Sequence, residues 1–468
     1  MSGRKIGLLI LILGFGAALE TAWGVRQHTS IGPHGCRVIG GQFYGPSFSF
    51  ETGAHRRLAP GAPVWLEIEN AFGGVRVSAG EPGAVEVTLR KVVFQPTAER
   101  ARSFADRIEL RMEEDGDRLR IRTNRDELSR REDVGFETHL DLRVPPDAMA
   151  SLRNEHGRVE AVGLARAEVR ASFGDVVVER ITGPVTVEAR HGAVHVRDLR
   201  ATLTLSARHG DVELSGVKGR AVLDVGHGGV TAEHVGGLEL KLVHGNLEAE
   251  TVDGDLVVRA QHAAVRASDV TGRVKVVTSY DDVRLARVGG DASVKVEHGS
   301  ITAEDIKGAL VAETSFADAE LARIDGQVEV TVRHGGVVAR GLSAGVRAHA
   351  SGDDVTIDGF DGPAEVTVER GSVRLAPQRP LVSEVTARAT GGDVHLAVES
   401  GSRFDLEAEA KRGEVRVDVP GLEITRAGPR RPSRVTGRMG AGGSRVQLSA
   451  DGDVEIETRP ATGVSGQP

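Results

Sequence analysis

Short runs of alternating apolar and polar residues recur through most of this chain. Before His209, Leu203, Leu205 and Ala207 alternate with Thr204, Ser206 and Arg208; before His334, Val328, Val330 and Val332 alternate with Glu329, Thr331 and Arg333. A period of two marks a strand with one buried face. Each run ends at a turn, and a shorter run follows, as at Val212 and Leu214 or Val283 and Leu285. A further aliphatic stands three residues on, at Leu199, Val217, Val235, Val252, Val270, Val288, Ile306 and Ile324. Two residues beyond it, Gly219, Gly237, Gly254, Gly272, Gly290, Gly308 and Gly326 mark a second turn.

The first turn sets the period. Its leading member is His156, Phe173, His191, His209, His227, His244, His262, Tyr280, His298, Phe316 and His334, in steps of 17 or 18 residues. Gly157, Gly174, Gly192, Gly210, Gly228, Gly245, Gly299 and Gly335 follow it, with Ala263, Asp281 and Ala317 as departures. Glycine there supplies the left-handed backbone of a tight turn. Strands this short form no stable sheet alone, but stacking each repeat on the next buries a continuous core. The expected fold is all-β: a single-chain β-solenoid (β-helix) with roughly 18-residue coils about 4.8 Å apart. A hexapeptide solenoid fails on spacing, and calcium-binding nonapeptide arrays fail because their Gly-Gly-x-Gly-x-Asp signature is missing. Carbohydrate-cleaving β-helices use longer coils and larger loops.

The same grammar opens earlier: Leu66, Ile68, Phe72, Gly73, Val75 and Val77 spell one rung, and Val85, Val87 and Leu89 begin another. A helix and hairpin insertion then interrupts near residues 95–140, with a helix over 97–107, a hairpin about Asp115-Gly116-Asp117, and a charged exposed loop over 124–133. Coils resume after Pro145 and Pro146, are most regular over 150–345, and end with a rung at Val446, Leu448, Gly452, Val454 and Ile456. The expected organisation is a signal peptide over 1–24, a leader or N-terminal cap over 25–63, the solenoid over 64–457, and a disordered tail over 458–468. The leader reading rests on Arg4 and Lys5 before an apolar run over 6–19, with small Ala22 and Gly24 at the cleavage point. That run is short for a membrane span, and no membrane span is expected in the mature chain.

Composition narrows the picture. Aromatic residues are 3% of the 468, so large rings do not build the core. The formal charge of -8 is spread along the chain without a basic stripe, which argues against nucleic acid. A single cysteine, Cys36, excludes an internal disulfide and a Cys-based zinc site.

Leu66-Glu67-Ile68-Glu69-Asn70 before a glycine turn, Leu142-Arg143-Val144-Pro145-Pro146-Asp147, and the glycines at 440 and 442–443 before Val446 resemble the bacterial putative-adhesin family. This is a β-strand-repeat family of undefined function, distantly similar to bactofilin solenoids. The resemblance covers roughly residues 64–457; it implies the fold and brings no catalytic residues with it.

The histidine ladder is the candidate site. Stacked coils place His191, His209, His227, His244 and His262 in one column, where imidazole offers metal ligation. The competing reading is a structural stack on the inward parity, each ring packing on the next and spending one nitrogen on a turn carbonyl. Phe173, Tyr280 and Phe316 favour the structural reading, because phenylalanine cannot ligate. Inward rings would also make the fold lose stability on acidification. Asp211, Asp282 and Asp318 read as polar turn residues, and the pairs Asp281-Asp282 and Asp353-Asp354 point apart rather than forming an acid/base couple. Neither a nucleophile elbow nor a phosphate-binding loop occurs. The leading expectation is an exported, non-enzymatic element of the cell envelope or surface, without cofactor, whose partner is an envelope polymer, glycan or protein. A His-ladder metal-binding protein is the alternative, and a carbohydrate-active β-helix enzyme comes third.

Overall fold

The structure, a computed structural model, describes residues 30–31, 37–39, 42–58, 64–131, 134–427 and 433–458. The expected signal segment, Cys36, the loop at 429–432 and the tail from Arg459 lie outside them. The chain is a β-solenoid of parallel stacked coils in two compact units, residues 1–192 and 193–468.

In the second unit most coils contribute two strands, which run on as one 15-residue strand in Leu238–Val252 and in Leu256–Val270. Leu203–His209 pairs in parallel with Ala221–His227, Leu203 against Ala221 and His209 against His227. Val212–Val217 pairs likewise with Val230–Val235. Side chains on the inward parity, such as Leu203, Leu205, Val212 and Leu214, are 0–1% exposed, and burying each aliphatic contributes roughly 1.5–3 kcal/mol.

The aliphatic three residues on is out of phase with a straight strand, yet Val217, Val235 and Val252 are buried. The residue before it explains this. Asp198, His234, Thr251, Asp269, Arg287, Asp305 and Arg323 adopt φ of 52–58°, and Gly216 adopts 70°. This left-handed residue kinks the strand and turns the next side chain back to the core. For a side chain larger than glycine the conformation costs roughly 1–2 kcal/mol, sustained because the flanking strands are held on both sides.

The first unit begins as expected and then departs. Trp65–Phe72 pairs in parallel with Met149–His156, and that strand with Arg166–Phe173. The first rung therefore lies directly against a strand more than 80 residues later. The rung expected from Val85, Val87 and Leu89 does not form. Those residues lie in an 11-residue strand, Ala84–Phe94, antiparallel to both Ser47–Arg57 and Phe136–Val144. Alternation alone cannot distinguish a coil strand from a capping strand, and antiparallel cover closes an edge that a parallel stack leaves open. The insertion carries helix α1 (Ala98–Ala105), N-capped by Thr97, and the hairpin Leu110–Asp115/Arg118–Thr123. The stretch expected as a loop over 124–133 instead holds helix α2 (Arg125–Arg131). Asn124 pins its start, accepting from Glu109 N at 2.9 Å and donating to Arg107 O at 2.9 Å.

Candidate functional site

The ladder residues sit where each coil turns from its first strand to its second. In the second unit the rings from His209 to His334 form an unbroken row. Centroids of neighbours are 5.0 Å apart for His209–His227, 4.8 Å for His227–His244, 4.9 Å for His244–His262 and 4.5 Å for His262–Tyr280. Tyr280–His298, His298–Phe316 and Phe316–His334 follow at 4.9, 4.6 and 4.9 Å. In the first unit Phe72, His156, Phe173 and His191 stack at 4.2, 4.9 and 4.8 Å. His191 thus ends the row of its own unit.

The row is outside the barrel, which corrects the inward placement. Phe173, Tyr280 and Phe316 are 46%, 43% and 54% exposed, and every ladder histidine from His191 onward is exposed. The inward alternation stops two residues earlier, at Ala207 or Val225, and the backbone then swings around the corner. The ladder position has inward parity but no core left to point into. The sequence held a sign of this: inward columns admit little but aliphatics, whereas the ladder mixes imidazole, phenol and phenyl. The expected bond to a turn carbonyl is also missing at five of the ladder histidines. The ring nitrogens of His227, His244, His262, His298 and His334 make no hydrogen bond among the described residues, so these rings are held by stacking. With burial gone, so is the ground for an acid-sensitive core.

The corner carbonyls are met from inside instead. Thr278 Oγ1 donates to Tyr280 O at 2.9 Å, and Thr314 Oγ1 to Gly299 O at 2.9 Å. In the first unit Asn70 and Asn154 do this work: Asn154 Nδ2 donates to Gly73 O at 3.0 Å and Gly157 O at 2.9 Å. All four residues stand two before a ladder ring, as polar exceptions in an otherwise aliphatic inward column (Ala207, Val225, Leu242) that the sequence reading passed over. The glycine after the ring is required twice over. Gly245 has φ of 143°, and a Cβ there would come within 2.0 Å of the Gly228 carbonyl oxygen in the adjoining coil.

Parallel rings one coil apart aim their in-plane nitrogen lone pairs in parallel, whereas zinc needs donors converging at about 2.0–2.1 Å. His209, His227, His244 and His262 are brought together as a stack and not as a chelate. Among the described residues no group of three or more His, Cys, Asp or Glu is placed to hold a metal. Stacking also covers the ring faces, so the row shows a partner only ring edges.

The turn aspartates are clamps between coils. Asp211 Oδ1 accepts from Gly229 N at 2.8 Å, Asp318 Oδ1 from Gly336 N at 2.8 Å, and Asp354 Oδ1 from Ser372 N at 2.7 Å. Asp282 accepts from the Ser300 amide at 2.9 Å and its hydroxyl at 2.8 Å, which holds the carboxyl below the ordinary aspartate range. In the pairs Asp281-Asp282 and Asp353-Asp354, the second carboxylate is thus committed to the next coil. The outward strand faces pair charges the same way: Lys295 with Glu313 at 2.9 Å, Arg287 with Asp269 at 2.7 Å and Arg347 with Glu365 at 2.9 Å, each 18 residues apart.

A stack of short parallel coils, its outward charges paired from coil to coil, is the class of protein defined here. Residues 273–457 match the family described as Toastrack DUF4097, a β-repeat domain of unknown function. The expected family resemblance therefore holds over the C-terminal part of the span 64–457. The chain is also similar to the crystal structure of a putative cell adhesion protein from Clostridium sporogenes, with 9% identity, coverage of 88% of this chain and 100% of that one, and a TM-score of 0.15. No curated protein matches the chain.

Proposed function

We propose that the protein is an exported, non-enzymatic β-solenoid serving as a structural or adhesive element of the cell envelope or surface. The observation that carries this reading is the periodic exterior: through the regular coils of the second unit, outward positions recur in register one coil on. A surface that repeats about every 4.8 Å suits a polymeric or multivalent partner. On the outer face of the second strands Ser268 and Ala286 are short. A hollow of about 400 Å³ opens there between Glu250, Arg266, Arg284 and Glu304. Those polar groups fit an envelope polymer, a glycan or a polar protein surface. The described residues contain no helix long and apolar enough to cross a membrane. Export rests on the N-terminal sequence pattern.

The test is sedimentation of the purified chain with isolated envelopes, beside an alkaline phosphatase fusion to residues 1–40 that reports export. Saturable co-sedimentation and an active fusion are expected; an inactive fusion, or a chain that stays in the supernatant, would sink the proposal. The ladder rings are proposed to be structural. His227→Phe should then keep stability within about 0.5 kcal/mol, while His227→Ala loses about 0.5–1.5 kcal/mol of ring stacking. Stoichiometric zinc uptake abolished by His227→Phe would favour the metal reading instead.

A further inference from the structure

The first unit buries a cation that no described carboxylate pairs with. Arg125 opens α2 and is only 7% exposed. Its guanidinium lies 4.5 Å from the Phe72 ring centroid and 4.1 Å from that of Phe136, and Nη1 donates to Phe136 O at 2.7 Å. That bond uses one of five N–H donors. No described carboxylate comes within ion-pairing distance, although Asp126, Glu137 and Glu155 act on it from further away. Burial lowers its pKa to about 10, which leaves it charged at neutral pH. Burying an unpaired charge is among the costlier things a fold can do, and such a group beside a cleft marks a candidate ligand site.

Arg125 lines a cleft of about 410 Å³, within the size range of small-molecule sites. Arg122 and Arg153 line it too; Arg122 Nη2 is paired with Glu113 at 3.1 Å, while its buried Nε has no hydrogen-bond partner. Arg111 is committed to Glu127 in a bidentate pair at 2.6 and 2.9 Å. Glu69 and Glu155 stand on the same lining as acceptors. We infer that this cleft binds a sugar acid or sugar phosphate, its oxyanion on Arg125 with Arg122 and Arg153, its hydroxyls donating to Glu69 and Glu155. Planar guanidinium donors match carboxylate and phosphate oxygens in pairs, and acceptors around a cationic floor suit a hydroxyl-rich anion better than a bare one. The site is independent of the envelope role proposed above.

The experiment is titration calorimetry of the full chain at neutral pH with galacturonate, glucose 6-phosphate, inorganic phosphate and glucose. At least one of the two anionic sugars should bind in the micromolar to low millimolar range, at least tenfold tighter than glucose or inorganic phosphate. Arg153→Ala, on the exposed rim, should weaken that binding at least fivefold, and Arg125→Met should abolish it. If Arg125→Met fails to fold, Arg153→Ala decides. Equal binding of glucose, inorganic phosphate as tight as the sugar phosphate, no binding at all, or unchanged affinity in Arg153→Ala would each overturn the inference.

Discussion

Within the second unit, the regular coils before Val398 and the segment from Phe404 onward are built from the same alternating strands but assembled by different rules. In the regular part each strand pairs with the one a coil later: Val346–Ala350 with Ala364–Val368, and that with Val385–Ala389. At the end this order breaks. Phe404–Ala410 does not pair with Val385–Ala389; Ser444–Ala450 lies between them and pairs in parallel with both. Val454–Thr458 likewise pairs with both Val394–Val398 and Val415–Asp418. The last coil in sequence is the penultimate coil in space. Arg434–Met439 then pairs antiparallel with Phe404–Ala410, and Leu422–Ala427 pairs antiparallel with Arg434–Met439, closing the stack. A repeat prescribes its neighbour, whereas an end must solve an open edge, and here the returning chain does so.

Excising one coil, residues 256–273, rejoins Asp255 to Val274, which already occupies the register of Leu256. The shortened chain should unfold in one transition at a cost of about 1–3 kcal/mol, one coil's share of an ordinary stability. Deleting residues 444–468 removes the inserted coil and should do far more. Amides of Val385–Ala389 and Phe404–Ala410 should lose protection by hydrogen-exchange mass spectrometry, and the protein should aggregate through the exposed edges. Full protection in the deletion variant would show that the end does not depend on the insertion.

Glycine substitutions sharpen the same contrast. Gly245→Val meets the carbonyl of a neighbouring coil and should cost about 3 kcal/mol or more in urea denaturation. Gly421 has φ of 87° but nothing within 4 Å of a built Cβ. Gly421→Ala should cost only about 1 kcal/mol, the price of the backbone conformation. Equal losses at the two sites would deny that close stacking of coils makes the difference.

The smallest effect is electrostatic. Glu407 accepts from Arg434 at 2.6 Å, Arg445 at 3.1 Å and Gln447 at 3.2 Å, tying the closing hairpin to the inserted coil. These bonds lower its pKa to about 2 from the ordinary 4.5. A depressed carboxyl contributes stability that is complete above about pH 4.5 and is lost as pH falls through about 2. Because the group is solvent-screened, the effect should stay below about 1 kcal/mol. Exchange from the 434–450 segment should quicken between pH 4.5 and 2 in the native protein, and Glu407→Gln should flatten that dependence.

The coil period, the parity of the buried faces and the turn glycines were legible in the residues, and Asp211, Asp282 and Asp318 were legible as turn residues though not as clamps. Charge pairing at an interval of 18, as at Lys295 and Glu313, emerged only with the structure, although the coil period held the signal for it. Each is a relation between a residue and the one a coil away, and an in-register stack turns such relations directly into contacts. The ladder was legible as a row of rings but misplaced, since parity gives a side chain's direction only while the strand runs straight.

What the tertiary structure alone decided lies where sequence neighbours cease to be spatial ones. Whether Val85 joins a coil or a cap, which gap receives Ser444–Ala450, and how Arg125 comes to lie between Phe72 and Phe136 depend on which open edges meet, and alternation carries no label for that. The chain by itself determined the repeating layer and its facing; the fold determined how the layers end, because an unpaired strand edge is satisfied by whichever segment can reach it.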